Sequence, residues 1–393
     1  MISLARYTAL LELREFRQII LVSLLGRLPI GICGLAILLL VRLATGSFAA
    51  GGAASGCYVA GLAAIAPVLG RLIDRYGPRA TLLASAIAFP AALSALVAAM
   101  SSGGATWLTW VCAASAGASF PPITVCMRTY FKRRLADDAS LAAAYSLESV
   151  LIETIFIVGP VLVALFVAFA SPALAVLFAA GCGCIGTVLF LRSPAVQAWH
   201  IDEASGRGLL GPLAERGFIS LICVILCYST AFGLMEIGIT AYAIQIGEPA
   251  LAGMLLGLMS VSSALGGLAY GSRSWNYSLI RQFAITLGLM AAGLAVLALR
   301  WQPWVFGVWC VVAGVVMAPA LIIQSMLVAK AARAEHSTEA FTWSTSALLS
   351  GVGLGLAAGG GLLEVFDARA PFAAAAATAL GAAVGARFML RER

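Results

Sequence analysis

The sequence predicts an all-α integral membrane protein with twelve spanning helices, and three observations carry that expectation. Of 393 residues, 62% are hydrophobic and only 10% are charged, with a mean hydropathy of +1.01. A soluble domain carries about 25% charged residues, so this chain could not cover a water-facing surface of that size, and a soluble enzyme is excluded. Disordered chains are poor in apolar residues, which excludes disorder as well. Second, the apolar runs are long and continuous, as in 150–170 and 221–246. A spanning helix needs about 20 such residues, and the two-residue alternation of a barrel strand is missing. Third, Lys and Arg are strongly biased to one side of the resulting segments.

Charge, Pro and Gly punctuate the segments in order. The first, 17–41, opens on Arg17 and closes at Arg42; the second, 48–70, is Gly/Ala-rich and runs into Arg71. Segment 80–100 starts behind Pro78-Arg79, 105–127 ends at Arg128, 139–169 follows Asp137-Asp138, and 172–191 opens on Pro172 and ends at Arg192. Behind Arg216 come 217–245, 249–271 (opening on Pro249), 279–299 (closed by Arg300), 304–329 (closed by Lys330), 338–365 and 371–390. The run 19–41 is longer than a signal-peptide core and lacks a small-residue cleavage site, so it reads as a retained helix.

Placing both termini in the cytoplasm puts 20 of the 24 Lys and Arg on the cytoplasmic side. Only Arg42, Arg300 and Arg369 fall opposite, and Arg27 lies inside the first segment. This is the positive-inside pattern, so the net charge of +7 reports topology and not nucleic-acid binding. Trp107, Trp110, Trp301 and Trp304 sit at outer segment ends, as interface aromatics do. A multi-pass protein of the cell (inner) membrane is expected.

The longest polar stretch, 192–216, divides the chain into an N-terminal six-helix bundle (1–191), a cytoplasmic linker and a C-terminal six-helix bundle (217–393). A faint repeat supports the division: Leu28-Pro29-Ile30-Gly31-Ile32 is echoed by Met235-Glu236-Ile237-Gly238-Ile239, and Gly61-Leu62…Gly70 by Gly257-Leu258…Gly266. Two similar halves around a midplane site is the architecture of many secondary transporters. The nine cysteines lie in apolar runs without His or acidic neighbours, and His200 and His336 lie in polar loops. No metal, cofactor or intramembrane histidine relay is therefore expected.

At the inner end of the second segment stands Gly70-Arg71-Leu72-Ile73-Asp74-Arg75-Tyr76-Gly77-Pro78-Arg79. This resembles the loop 2–3 signature of the major facilitator superfamily, with Gly70, Asp74, Arg75, Gly77 and Arg79 matching and Pro78 departing from it. The loop sits between segments 2 and 3 of a twelve-segment chain split six and six, so the resemblance extends over essentially the whole chain. In the second half the equivalent position is degenerate, with Tyr270 where the Asp would stand. The resemblance implies a conformational latch that holds the cytoplasmic gate closed in the outward-facing state. Asp74 is expected to pair with arginines, Arg128 foremost, or to lie against a helix N-terminus, where a carboxylate is favoured. The bland alternative is a set of ordinary loop charges.

Four ionisable residues lie inside the segments: Arg27, Glu148, Glu153 and Glu236. Each costs about 2.5–3.5 kcal/mol near a helix centre, so each needs a partner or a watered cavity. Glu148 and Glu153 are five residues apart, about 140° around a helix. The Glu153 stripe (Ser146, Ser149, Phe156, Pro160) reads as a cavity lining, with Arg27 as the expected partner of Glu153; Glu148 reads as helix packing beside Tyr145. A purely structural Arg27–Glu153 salt bridge is the alternative. Glu236 lies towards the outer face in the stripe Ser229, Gly233, Thr240, either in the cavity or as an interface carboxylate. Gly159-Pro160 is the pair that antiporter branches of the superfamily carry in helix 5, here without their flanking small residues. Gln324, Trp343 and the hydroxyls of the eleventh segment are candidates for the substrate wall or for packing.

The leading expectation is a proton-coupled exporter, or antiporter, of a small, mostly apolar compound, cationic ones included. It takes a small-molecule substrate and protons as partners within the lipid bilayer and works as a monomer. Its grounds are the excess of intramembrane acids, the sparse polar lining and the Gly-Pro pair. Proton-coupled transport of a polar metabolite is the alternative, although a sugar site would want more amides and acids than Gln245 and Gln324. A polytopic membrane enzyme is remote, because the outer loops are short and hold Asp367 but no His or Cys.

Overall fold

The computed structural model describes residues 5–102, 106–197, 199, 211–248, 250–299 and 302–390. Twelve helices among them are long and apolar enough to cross a membrane: α1 (Arg14–Thr45), α2 (Ala50–Tyr76), α3 (Pro78–Ser101), α4 (Trp107–Arg134), α5 (Asp138–Phe169), α6 (Pro172–Leu191), α7 (Arg216–Gln245), α8 (Leu251–Gly271), α9 (Leu279–Leu297), α10 (Pro303–Ala331), α11 (Ser337–Val365) and α12 (Arg369–Met389). The described elements are all helical. Glycine does not interrupt α2 or the 351–361 stretch of α11, in keeping with its frequency in membrane helices.

Three helices are broken where the composition predicts continuous ones. α1 is interrupted at Leu28, immediately before Pro29, and α4 between Ala118 and Ile123, where Pro121 and Pro122 cannot donate to the carbonyls four residues back. α10 stops at Gly314 and resumes at Met317. Pro319 is the cause: it has no N–H for the Val315 carbonyl, and that carbonyl turns against the backbone at Gly266 of α8.

Helices α1–α6 pack into one bundle and α7–α12 into another. The repeat is visible in their closest approaches. Gly117, just before the break in α4, lies against the Tyr58 carbonyl of α2, and Gly314, just before the break in α10, lies against the Met259 carbonyl of α8. The short echo around Gly31 and Gly238 is not a structural equivalence. Gly31 meets α5 at Ile155 and Gly159, whereas Gly238 meets Phe372 of α12; the residue of α7 that meets α11 in the same way is Gly233.

The halves join along α2–α11 and α5–α8, with α4 and α10 contributing. Both described chain ends lie at one end of this seam. The short helix Ala5–Glu12 places the Tyr7 hydroxyl on Ser146 and on the Leu268 carbonyl, and Leu390 borders a cavity with Asp138 and Lys330. We call this the terminal side. Residues 198 and 200–210 of the linker expected at 192–216 are outside the described residues, and with them Arg207 and His200, as are Arg300 and Trp301; the linker's last part holds a single 3-10 turn, Gly211–Ala214.

Candidate functional site

The latch residues come together on the terminal side of the seam. Gly77 has φ +80°, a left-handed conformation that glycine adopts without strain, so the chain can turn directly from α2 into α3. One helical turn earlier, Asp74 reaches across to the other half. Its carboxylate accepts hydrogen bonds from the backbone amides of Thr338 (3.0 Å) and Glu339 (2.7 Å) in the first turn of α11. Gly70 allows the approach, because a side chain there would collide with Thr342 and Glu339. Of the two options the sequence left for Asp74, the structure holds the helix N-terminus. Arg128 is not its partner, because Arg128 is held elsewhere by Glu148.

Two residues the motif did not single out complete this contact. Arg71 donates to the Glu339 carboxylate at 2.6 Å, so the helix that receives the Asp74 cap also returns an acid to α2. Thr129 bonds to Thr338 (3.3 Å), Lys132 to the Ala332 carbonyl (2.8 Å) and Lys330 to Asp138 (2.6 Å). Arg75 and Arg79 are exposed instead, Arg75 lying over the adjacent Tyr76 ring.

The second half does not repeat this arrangement. Tyr270, in the position of Asp74, turns into its own half, where it bonds to Gln282 and stacks on Trp275. Between it and the first turn of α5 remains a cavity of about 530 Å³. α5 supplies its own cap: Asp137 accepts the Ser140 amide at 2.8 Å, and that bond holds its carboxyl below the usual carboxylate range. α11 has no side-chain cap from its own sequence.

The intramembrane charges pair differently from the expectation. Arg27, at the break in α1, is fully buried and donates to Glu148 at 3.3 Å, not to Glu153. Arg128 of α4 binds the same carboxylate at 2.9 Å, which gives a buried Arg27–Glu148–Arg128 triad within one half. Met127 sulfur (3.6 Å) is the other contact of Arg27. The physical reason is the 140° between Glu148 and Glu153, which turns Glu148 towards α1 and α4 and Glu153 towards α8.

Glu153 accepts a 2.7 Å hydrogen bond from the Ser263 hydroxyl of α8, and Ser263 accepts the Ala318 amide (3.1 Å) just past the break in α10. Lower on the same stripe, Ser146 donates to the Gly267 carbonyl at 2.7 Å. That face of α5 is the seam, and Phe156 and Pro160 continue it as exposed residues. Gly159 packs on the Gly31 backbone, so the Gly-Pro pair sits at the α1–α5 crossing.

The remaining candidates divide. Gln324 is buried inside the second half, accepting from Tyr228 and donating to Ser344 at 2.6 Å, and so belongs to packing and not to a substrate wall. Trp343 is partly buried, with an indole N–H that meets no acceptor among the described residues. Glu236 is exposed, while its stripe neighbours Ser229 and Gly233 pack on α11. Among the described residues, no group of three His, Cys, Asp or Glu could hold a metal ion.

Two six-helix membrane halves that meet along a seam, with the Glu153 carboxylate on it, have the architecture of many secondary transporters. The family model of the Major Facilitator Superfamily matches residues 19–342, and the chain belongs to that superfamily. No curated protein sequence matches the chain. Among solved structures it is similar to a bacterial homologue of the iron transporter ferroportin in an outward-facing state, with TM-score 0.79, 15% identity and coverage of 96% of this chain and 99% of that one. It is also similar to the human organic anion transporter MFSD10 (TM-score 0.72, 16% identity, 94% and 99% covered) and to the E. coli fucose:proton symporter (TM-score 0.76, 12% identity, 96% and 98% covered). At these identities the likeness is one of fold.

Proposed function

We propose that the protein is a proton-coupled exporter that exchanges protons for a small, mostly apolar compound, cationic ones included, with its terminal side in the cytoplasm of the cell (inner) membrane. Glu153 carries this reading: it is an intramembrane carboxylate whose partner on the seam is a serine and not a cation, placed where the two halves must separate. Buried Arg27 and part-buried Arg128 are both held by Glu148, so Glu153 and Glu236 remain as intramembrane acids without an ion pair among the described residues. An acidic lining suits a cation that competes with protons. The similarity to a fucose:proton symporter fits proton coupling. The polar-metabolite alternative is weaker, because Gln324 is used in packing. The boundaries 1–191, 192–216 and 217–393 and a monomeric state complete the proposal.

A thermal-shift panel on purified protein tests the substrate class, since a ligand that binds the folded state raises its melting temperature. Lipophilic organic cations are expected to raise it, and sugars and organic acids to leave it unchanged. A rise with sugars alone would overturn the reading.

The same proposal makes Asp74, Arg71 and Glu339 the cytoplasmic latch. Asp74→Asn keeps one acceptor but loses the charge that faces the α11 N-terminus. A lost cap costs about 1 kcal/mol, or roughly fivefold in the closed-to-open equilibrium. Turnover of the compound selected by the panel is expected to fall by about that factor, with its affinity nearly unchanged. Wild-type transport by Asp74→Asn at every concentration would remove Asp74 from the gate.

A further inference from the structure

Ser263 is almost fully buried between the halves, and both of its hydrogen-bonding roles are occupied. Its oxygen accepts the Ala318 amide, one of the donors that the break in α10 leaves without a helical partner, and its single hydrogen goes to Glu153. A chain of two hydrogen bonds thus runs from the broken helix α10, through α8, to the carboxylate of α5 in the other half.

We infer that Ser263 is a positioning residue that makes closure of the seam depend on the charge of Glu153; the inference rests on the reading of Glu153 as the proton site. With Glu153 ionised, the Ser263 bond is charge-assisted and about twice as strong as a neutral one. Protonation leaves a neutral acceptor and removes the charge assistance from the Ser263 bond; the new acid hydrogen is left to the second lone pair of Ser263 or to the Ser260 hydroxyl on the same helix, and neither restores it. The seam is then weakened at its outermost polar tie on α5, and the break in α10 is released with it. A proton arriving from the far side would thereby unlock the closed terminal side, the direction of change an exporter needs after its substrate has left.

The groups facing Glu153 leave the dependence to this one carboxylate. α8 has no ionisable residue between Leu251 and Gly267, and α10 has only Cys310 before Lys330. From α1 and α4, Arg27 and Arg128 are held by Glu148 on the other face of α5; between Leu28 and Val41 α1 adds only the thiol of Cys33, α4 before Arg128 only those of Cys112 and Cys126, and α6 only those of Cys182 and Cys184.

Hydrogen exchange by mass spectrometry on the whole protein in lipid nanodiscs tests this with protons as the only ligand. In the wild type, exchange in 314–320, at the break in α10 and away from the Asp74, Glu339 and His336 side chains gathered at the start of α11, corrected for the intrinsic effect of pH, is expected to quicken as pH falls. Ser263→Ala is expected to exchange about tenfold faster there at high pH, with a flattened pH profile, and Ser263→Thr to restore both the rate and the profile. Glu153→Gln separates the two ideas. If Glu153→Gln keeps the wild-type pH response, the proton-site reading fails. If Glu153→Gln abolishes the response while Ser263→Ala retains it, the Ser263 inference fails alone. Faster exchange spread over the whole chain, or not restored by Ser263→Thr, also overturns it, because Ser263 would then only hold the fold.

Discussion

Glu153→Gln is expected to abolish transport driven by a pH gradient while leaving substrate binding and passive exchange largely intact. Glutamine matches the protonated acid in shape and in neutrality, and its amide oxygen can still accept from Ser263. The variant is therefore held in one charge state, and a gradient can bias two conformations only if they differ in proton affinity. The measurement is accumulation of the panel-selected compound in proteoliposomes, with and without a pH gradient. Full gradient-driven accumulation by Glu153→Gln, with loss in Glu236→Gln, would move the coupling role to Glu236 and leave Glu153 a seam contact.

The largest loss of stability is expected at Glu148. Glu148→Gln leaves Arg27, with no exposed surface, and Arg128 close together without a counter-charge. Removing one partner of a buried pair costs about 3–5 kcal/mol, because the remaining charge is uncompensated. Arg27→Met is expected to be milder: it removes the most deeply buried cation and leaves Glu148 still bound by Arg128, so the loss should stay below about 2 kcal/mol. Unfolding in denaturant with a common lipid and detergent mixture measures both. A greater loss for Arg27→Met than for Glu148→Gln would show that Arg27 serves as more than a partner of Glu148.

The helices were legible because hydrocarbon thickness sets a length that composition alone reveals. Their breaks were not, since proline inside an apolar run is tolerated in membrane helices and its effect depends on what receives the freed backbone groups. Pro319 acts through Val315 and Ala318, and the serine that accepts the Ala318 amide is 55 residues away. The charged candidates were found because any intramembrane charge is conspicuous. Their pairing was not: periodicity separates Glu148 from Glu153 on α5 but does not say which face meets α1. Arg71 and Glu339 were passed over because each stands at a segment end, where a charge needs no explanation. Glu339 in the first turn after a loop was the available signal, since acids favour helix N-termini. Ser263 carried none, as a serine in a membrane helix commonly bonds its own backbone.

The two caps described above, Asp137 within its own half and Asp74 across the seam, make the protein's internal repeat unequal in its energetics. When the halves part on the terminal side, α5 keeps its cap and α11 gives one up, so the beginning of α11 is secondary structure held in place by tertiary contact. Here one seam carries a conditional helix end and the other a cavity, so parting the halves on the terminal side costs helical order in the second half and none in the first.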